Sequence, residues 1–192
     1  AEGVHQFELK VTDARGFIDK VTVQVTVLNS SEPPTCTTCK IVFVSARDGN
    51  NEIYTSNTDG SNITRLTNDP GDDGQPKWSP DGTRIAFISD RNGSPGLYIM
   101  NQDGSNVVLR TSLAYLGMGL TWSPDGTKIA YGNIDGKLFL MNADSGLTAR
   151  PLLKKQNQER WWPTDWSSDG EKILLNTFVS KTGNDIAILS LK

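Results

Sequence analysis

Histidine is almost absent from this chain of 192 residues, since His5 is the only one. Histidine-ligated metal centres and Ser-His-Asp relays both need a histidine placed in a cleft, whereas His5 lies in a run that predicts a β-strand. The sequence also has no Gly-x-Ser-x-Gly elbow and no glycine loop that could cradle a phosphate. We therefore expect a protein that is not an enzyme and that carries no metal and no cofactor.

Basic clusters and long apolar runs are also lacking. The net charge is −3 and the acidic and basic residues are interspersed, so no basic stripe could neutralise a nucleic-acid backbone. No apolar run approaches the roughly 18 residues that span a bilayer, and the first residues do not resemble a signal peptide. We expect neither a nucleic-acid partner nor a membrane span, while a hydrophobic content of 36% suffices for an ordinary core.

Cysteine is limited to Cys36 and Cys39, in the sequence Cys-Thr-Thr-Cys. In an exported protein we predict a small disulfide loop between them, with two free thiols as the alternative. A thioredoxin-like redox role would need a βαβ context, which the neighbouring sequence does not provide. Attachment of a c-type haem would ordinarily need histidine in place of Lys40.

What the sequence does have is a repeat. Trp-Ser-Pro-Asp-Gly occurs at residues 78–82 and 122–126, Trp-Ser-Ser-Asp-Gly occurs at 166–170, and each copy starts 44 residues after the last. An apolar run typical of a buried strand follows each copy. A period in the forties indicates a repeat architecture, so the repeating unit is larger than the motif itself.

Each unit can be divided into short strands that are separated by turn sequences. In the second unit the predicted strands are 75–79, 84–89, 96–101 and 107–111, with Asp-Gly and Asn-Gly turns between them. The first unit has three predicted strands, at 40–45, 52–57 and 63–67, and the last unit also has three. The prediction is therefore 14 strands, or three and a half four-stranded antiparallel sheets.

The first 30 residues have a different pattern. Alternating runs at 4–12 and 20–27 flank a turn sequence and predict two strands with one buried face, which two strands cannot bury alone. The polar, proline-containing stretch that follows predicts a linker. We accordingly divide the chain into residues 1–30, a linker at 31–39 that holds the cysteine pair, and repeats at 40–192.

The second unit resembles the PD40 or TolB-like, WD40-like β-propeller repeat. The residues that carry the resemblance are Trp-Ser-Pro-Asp-Gly-x-x-Ile-Ala-Phe-x-Ser-Asp-Arg-x-Gly, followed by Leu-Tyr-x-Met-Asn-x-Asp-Gly-Ser-Asn at 97–106. The third unit lacks Ser-Asp-Arg, and Ser168 replaces the proline in the fourth. The resemblance implies an all-β fold with four-stranded blades around a channel, each Trp-bearing strand innermost.

Residues 1–30 are similar to the last two strands of immunoglobulin-like PKD or cadherin-like modules of surface proteins. TolB has an α/β domain ahead of its blades instead. The resemblance therefore implies the fold and protein binding in general, and it does not imply TolB's own partners. About 3.5 blades do not make a ring. We expect a fragment of a longer surface protein; the alternatives are strands donated by a partner and an irregular four-bladed ring.

The resemblance also implies where binding occurs, because the loops before the innermost strands meet at one mouth of the channel. These loops are acidic around residues 69–73, apolar around 115–118, and basic and aromatic around 154–162. Chemical variation on a constant scaffold is where specificity usually resides. The candidate binding residues are Asp72, Asp73, Tyr115, Met118, Lys155, Arg160, Trp161 and Trp162.

Two sets of candidates have alternative interpretations. Trp161 could pack between blades, and the acidic loop could hold Ca²⁺, although it lacks the Asp-x-Asp-x-Asp-Gly spacing and is expected to be a solvated loop. Two further sets of residues are expected to be structural. They are the core tryptophans Trp78, Trp122 and Trp166, and the turn caps Asp81, Asp125 and Asp169.

The leading functional hypothesis is a non-catalytic, extracellular or periplasmic propeller module that mediates protein–protein interaction or surface assembly. Its partner would be another protein or further copies of the chain. A carbohydrate-binding, lectin-like propeller is the alternative, based on the Trp161-Trp162 pair. A second alternative is a propeller accessory to an enzyme domain outside this chain; oligogalacturonate lyase propellers are also similar, but they need histidine-rich metal sites.

Overall fold

The computed structural model describes residues 3–12, 18–27, 40–112, 118–133, 135–145, 150–152, 160–179 and 183–191. Over these residues the chain is all-β, with sixteen strands and no helix, as the sequence predicts. The chain divides into two compact units, Ala1–Cys39 and Lys40–Lys192. The second unit begins at the first predicted strand of the repeats.

The first unit contains an antiparallel hairpin. Strand β1 (Gly3–Thr12) pairs with β2 (Ile18–Val27) along its whole length, so the two alternating runs form strands that pair with each other. That this hairpin ends an immunoglobulin-like domain, and that residues 31–39 are a linker, remain predictions. Cys36 and Cys39 lie outside the described residues.

The second unit consists of four antiparallel sheets in chain order, which we name A to D. Their described strands number three, four, four and three, as predicted. Sheet A contains β3 (Lys40–Ser45), β4 (Glu52–Asn57) and β5 (Thr64–Arg65). Sheet B contains β6 (Asp73–Trp78), β7 (Arg84–Ser89), β8 (Gly96–Asn101) and β9 (Val108–Ser112). Sheet C contains β10 (Met118–Trp122), β11 (Lys128–Gly132), β12 (Leu138–Asn142) and β13 (Arg150–Pro151). Sheet D contains β14 (Arg160–Trp166), β15 (Lys172–Val179) and β16 (Gly183–Ser190).

Among the strands predicted for sheets A and B, three have different bounds: β9 is shifted by one residue, and β5 and β6 differ more. Strand β5 has only two residues, where five were expected. Strand β6 begins two residues early, because a β-bulge between Gly74 and Lys77 lets the pairing with β7 continue, and Gln75 adopts a φ of 53° there. Bulges lie at the equivalent places in β10 and β14, so the irregularity belongs to the repeat.

The turns after the first strand of sheets B, C and D share one hydrogen-bond network. In sheet B the Asp81 carboxylate accepts from the Ser79 hydroxyl at 2.6 Å and from the Thr83 main-chain N–H at 3.1 Å. Asp125 and Asp169 accept from the equivalent groups. The prediction that these aspartates cap turns is confirmed, and Ser168 replaces proline without loss of the carboxylate's bonds.

The sheets stack face to face through three apolar clusters. Each cluster joins side chains of one sheet to those of the next, for example Ile53 of sheet A to Ile85 of sheet B, and Ala86 of sheet B to Ile129 of sheet C. The third cluster joins Ala130 of sheet C to sheet D. Successive side chains of a strand point to opposite faces, and β7 and β11 are therefore buried on both faces, apart from their first residues.

The first strands of sheets B, C and D approach one another directly. The indole N–H of Trp122 donates to the Lys77 carbonyl at 3.0 Å, and the Gly119 N–H donates to the Gln75 side chain at 2.8 Å. Gly119 has a φ of 74°, and an added Cβ would lie 2.5 Å from the Pro163 carbonyl oxygen. This close approach fits the innermost position expected for the Trp-bearing strands.

All three repeat tryptophans contribute to packing. Trp122 is buried in the cluster between sheets B and C. Trp78 and Trp166 are partly buried and pack against the other two clusters. The prediction that they belong to the core is confirmed for Trp122, whereas Trp78 and Trp166 lie at the edge of the core and are only partly buried.

Candidate functional site

The acidic loop at residues 68–73 is fixed by two asparagines of the turn between β3 and β4. The Asn50 amide donates to the carbonyls of Asp69 and Gly71, at 2.8 and 2.7 Å. The next residue, Asn51, donates its main-chain N–H to the Asp72 carboxylate at 2.9 Å. Sequence reasoning missed both asparagines, because their partners lie about twenty residues away.

The same loop is bonded on its other side to sheet B. The Asp72 main-chain N–H donates to the Asp90 carboxylate at 2.7 Å, and an added Cβ at Gly71 would overlap the Asp90 side chain and the Arg91 main chain. Asp72 itself remains exposed. The loop is thus held from both neighbouring turns and presents a carboxylate to solvent.

Asp73 has a different environment from Asp72. Its side chain is fully buried and contacts the Arg91 guanidinium at 2.7 Å. Burial raises the pKa of Asp73, while hydrogen bonds from Ser89, Arg91 and Thr67 act in the opposite direction. Within the acidic loop, exposed charge is therefore supplied by Asp72 and not by Asp73, which has a structural role.

Arg91 belongs to the Ser-Asp-Arg element of the repeat. Its guanidinium lies 5.1 and 5.0 Å from the ring centroids of Phe87 and Tyr98, and its Nε donates to the Ser89 hydroxyl. Arg47 covers Phe43 and Tyr54 in the same way in sheet A. Because the same stacking occurs in sheets A and B, we infer that these arginines stabilise the turns that follow β3 and β7.

A buried carboxylate lies beneath the acidic loop. Glu52 is fully buried and accepts from the Arg65 guanidinium at 2.7 Å, the Thr67 hydroxyl at 2.6 Å and the Asp69 N–H at 2.9 Å. Burial alone would raise the pKa of Glu52, but these hydrogen bonds outweigh it and the pKa is lowered. Glu52 therefore ties the start of the loop to β4.

The basic and aromatic candidates are placed at the start of β14. Arg160 is exposed and lies against the turn before β12, where an added Cβ at Gly136 would overlap it. Trp161 is partly buried and packs in the cluster between sheets C and D, in keeping with its structural alternative. Trp162 is also partly buried, and its Cβ lies close to Gly119.

Three candidates lie wholly or partly outside what the structure describes. Tyr115 and Lys155 lie outside the described residues, and Met118 is described only as the first residue of β10. The structure therefore places Asp72, Arg160 and Trp162 near the starts of the first strands. Since Gly119 contacts both Gln75 and β14, these starts lie at a common end of the unit, which we call the mouth.

A cavity of about 270 Å³ lies at the opposite ends of the same strands. Its lining comes from equivalent positions of sheets B, C and D, including Trp78, Trp122 and Trp166, with Lys77 and Asp165 beside them. The motif that defines the repeat in the sequence thus lines a concave surface as well as the core. The recurrence of tryptophan every 44 residues was the feature of the sequence that could have indicated this surface.

The described residues lack two kinds of feature. They contain no group of three or more His, Cys, Asp or Glu side chains that could hold a metal ion. They also contain no helix with the length and apolar character needed to cross a membrane.

Comparison with protein families agrees with this architecture. The sequence model of PD40, the TolB beta propeller domain, matches residues 11–177. The chain belongs to this family. No curated protein matches the sequence.

Several solved structures of other proteins have a similar fold. TolB from Acinetobacter baumannii is similar, with a TM-score of 0.65 and 16% identity over 79% of this chain. A chain of a nidogen/laminin complex has a TM-score of 0.59 and 14% identity over 73% of this chain. An oligogalacturonate lyase in complex with manganese has a TM-score of 0.53 and 19% identity over 73% of this chain. At these identities the likenesses show the propeller fold alone.

This chain corresponds to only part of each of those proteins. The matches cover 39% of the TolB chain, 51% of the chain from the nidogen/laminin complex and 41% of the lyase chain.

Proposed function

We propose that this PD40 propeller unit is a non-catalytic module that binds a protein partner at its mouth, outside the cytoplasm. The observation that carries the proposal is the acidic loop, whose main chain is fixed by Asn50 on one side and Asp90 on the other while Asp72 stays exposed. A surface that is already ordered loses little conformational entropy on binding. Such a loop is suited to recognition.

The charges at the mouth support a polar partner of mixed charge. Asp72 offers a carboxylate in front of sheets A and B, and Arg160 offers a guanidinium at the start of sheet D. Trp162, half-buried beside Gly119, adds aromatic surface of the kind that is enriched at interface hot spots. A peptide segment with both an acidic and a basic side chain would complement this arrangement.

The comparisons support protein binding and a location outside the cytoplasm. One similar structure is part of a nidogen/laminin complex, and another is TolB; the resemblance of the repeats to the TolB family is the basis for proposing a location outside the cytoplasm. The proposal of a non-catalytic role comes from the sequence, which has one histidine for the whole chain. The similar oligogalacturonate lyase contains manganese, so a lyase assay belongs in the test.

The experiment is selection of binding peptides from a displayed random library on the 192-residue chain, followed by measurement of their affinity for the double variant Asp72→Asn and Arg160→Gln. We expect peptides that bind the unmodified chain with micromolar affinity. Their affinity should fall at least tenfold for the double variant, about 1.4 kcal/mol. The matched control is Asp144→Asn, which removes an exposed carboxylate at the other end of the strands.

Peptides that bind the double variant and the unmodified chain equally well would show that the mouth is not the recognition surface. Incubation with polygalacturonate and manganese should give no unsaturated uronic acid. Release of such a product would contradict the non-catalytic role while leaving the peptide result intact.

A further inference from the structure

The cavity at the ends of the first strands opposite the mouth has a lining that repeats from sheet to sheet. Sheets B, C and D each contribute the repeat tryptophan, the residue before it and the residue two positions after it, and each set lies 44 residues from the last. We call this space the tryptophan cavity. All of its lining lies between residues 77 and 168, in three sheets that are consecutive in the chain.

The residue before each tryptophan is the one whose chemistry changes most. It is Lys77 in sheet B, Thr121 in sheet C and Asp165 in sheet D, and all three line the cavity. The walls therefore combine constant tryptophans with an ammonium, a hydroxyl and a carboxylate at equivalent positions. Chemical variation on a constant scaffold is where binding specificity usually resides.

The two charged residues of the cavity are available to a ligand. Lys77 and Asp165 are both exposed, and neither belongs to an ion pair in the part of the chain that the structure describes. The Asp165 carboxylate accepts the main-chain N–H of Trp166 at 2.8 Å, which orients it. Two opposite charges at one cavity that do not pair with each other can each pair with the complementary charge of a ligand.

The apolar walls are held in place before any ligand binds. Trp122 is only 5% exposed, its indole N–H donates to the Lys77 carbonyl at 3.0 Å, and the Arg84 guanidinium lies 5.0 Å from its ring centroid. Trp78 and Trp166 pack against the two neighbouring apolar clusters. Walls that are already ordered lose little conformational entropy on binding.

The size of the cavity favours a small ligand. Its volume of about 270 Å³ lies just below the roughly 300 to 1,000 Å³ of typical small-molecule sites. Apolar rings, including Pro80 and Pro124 beside the tryptophans, line it together with the two charged side chains. A complementary ligand therefore has an apolar chain and one charged group of each sign.

We propose that the tryptophan cavity binds a small zwitterion in which a chain of methylene groups joins an ammonium to a carboxylate, as in an ω-amino acid or a carboxyl-terminal lysine. The carboxylate pairs with Lys77 and accepts from the Thr121 hydroxyl, the ammonium pairs with Asp165, and the methylene chain packs on the tryptophan and proline rings. A ligand with a single charge leaves Lys77 or Asp165 unpaired. A ligand with adjacent charges leaves the apolar walls uncovered.

The first test is isothermal titration calorimetry of the 192-residue chain with 6-aminohexanoate. We expect saturable binding with a dissociation constant of about 1 mM or lower. Hexanoate, which lacks the ammonium, and hexylamine, which lacks the carboxylate, should each bind at least about tenfold more weakly. Absence of saturable binding overturns the proposal. A single-charge compound that binds as tightly as 6-aminohexanoate overturns the zwitterion.

Variants of the two charged residues assign the ends of the ligand. Lys77→Met should remove the advantage of 6-aminohexanoate over hexylamine, while the advantage over hexanoate remains. Asp165→Asn should remove the advantage over hexanoate, while the advantage over hexylamine remains. A purely structural role of either residue would weaken the binding of all three compounds alike, and that result would contradict the assignment.

The matched controls are Lys137→Met and Asp135→Asn. Both residues are exposed and flank Gly136, in the turn that lies against Arg160 at the mouth, so their substitution should leave the binding of 6-aminohexanoate unchanged. The double variant Asp72→Asn and Arg160→Gln should also bind it normally. Loss of binding in that double variant would place the ligand at the mouth and overturn the cavity site, so this inference and the proposed function fail separately.

The two sources of such a zwitterion can be distinguished with one peptide. A short peptide that ends in lysine is compared with free 6-aminohexanoate and with the same peptide carrying a carboxyl-terminal amide. Tighter binding of the peptide than of 6-aminohexanoate supports a chain terminus as the ligand, and the reverse order supports a free amino acid. An amidated peptide that binds as tightly as the free acid overturns the role of the carboxylate.

Discussion

Arg84 of sheet B and Asp144 of sheet C form an ion pair of 2.7 Å across the interface between the two sheets. Arg84 does more than pair, because its guanidinium also donates to the Gly126 carbonyl at 3.0 Å and lies 5.0 Å from the Trp122 ring centroid. Asp144 is mostly exposed. The arginine is therefore embedded in the interface, and its partner is not.

This asymmetry predicts unequal effects of removing the two residues. Arg84→Ala should lower the free energy of unfolding by about 2 kcal/mol, because stem packing, a hydrogen bond and the cation–π contact are lost together. Asp144→Ala should cost less than about 1 kcal/mol, as exposed ion pairs usually do. Urea denaturation of both variants measures this, and equal losses would show that the ion pair dominates.

The buried carboxylate beneath the acidic loop gives a second prediction. Glu52→Ala should destabilise the chain by about 3 kcal/mol, because it removes the acceptor of the Arg65 Nη2 and of the Thr67 hydroxyl inside the protein. The comparison variant is Asp48→Ala. Asp48 is half-exposed, contacts Arg65 only at 3.9 Å and accepts one hydrogen bond from Tyr54, so its loss should cost about 1 kcal/mol. Thermal unfolding that ranks Asp48 above Glu52 would contradict this account.

The turn aspartates predict a dependence on pH. Hydrogen bonds from Ser79 and Ser123, and then from Thr83 and Thr127, lower the pKa of Asp81 and of Asp125 from 3.8 to about 2. Because the folded pKa lies below the unfolded one, the stabilisation is complete above about pH 4 and is lost as pH falls from about 4 to about 2.

The double variant Asp81→Ala with Asp125→Ala should therefore unfold at a lower temperature than the unmodified chain at pH 7. The difference should shrink steadily as the pH is lowered from 4 to about 2. Asp135→Ala is the control, since among the described residues the Asp135 carboxylate accepts one hydrogen bond, a long one of 3.4 Å from the Asn133 side chain. A difference that does not change with pH would contradict the assignment to these carboxylates.

Two glycines near the starts of neighbouring strands, Gly74 in β6 and Gly119 in β10, should respond differently to alanine. Gly119→Ala should destabilise by about 2 kcal/mol or more, because φ is 74° and the new Cβ would lie 2.5 Å from the Pro163 carbonyl oxygen. Gly74→Ala places a Cβ in open space with no positive φ, so it should be neutral or stabilise by about 0.5 kcal/mol. Chemical denaturation of both proteins tests the pair, and a tolerated alanine at 119 would refute the close strand approach.

Predictions from the sequence were correct where hydrogen bonds between residues close in the chain determine the structure. The turn that begins at Ser79 is built from residues no more than five apart, and it appears wherever the motif recurs. The alternation of the first 30 residues likewise predicts paired strands. The bulges after Gly74, in β10 and in β14 were missed, since neither periodicity nor turn residues mark them.

The candidate site was only partly predictable. In the sequence, Asp72 and Asp73 were equivalent candidates. Asp72 is exposed, whereas Asp73 is buried against Arg91, eighteen residues away. Trp161 and Trp162 were also offered together, and the side chain of Trp161 is part of an inter-sheet cluster. Adjacent residues of a strand point to opposite faces, and only the neighbouring sheet decides which face is covered.

By itself, the sequence determined the repeat, the number of strands and the turns that join them, because these depend on the spacing and chemistry of residues close in the chain. The tertiary structure decided which equivalent positions are buried. Ile41 and Ile85 have the same side chain at the same place in the repeat, but Ile85 is packed against sheet A and Ile41 is 46% exposed. Burial is a property of what stacks on a sheet, and the repeat pattern is the same whether or not a neighbouring sheet is present.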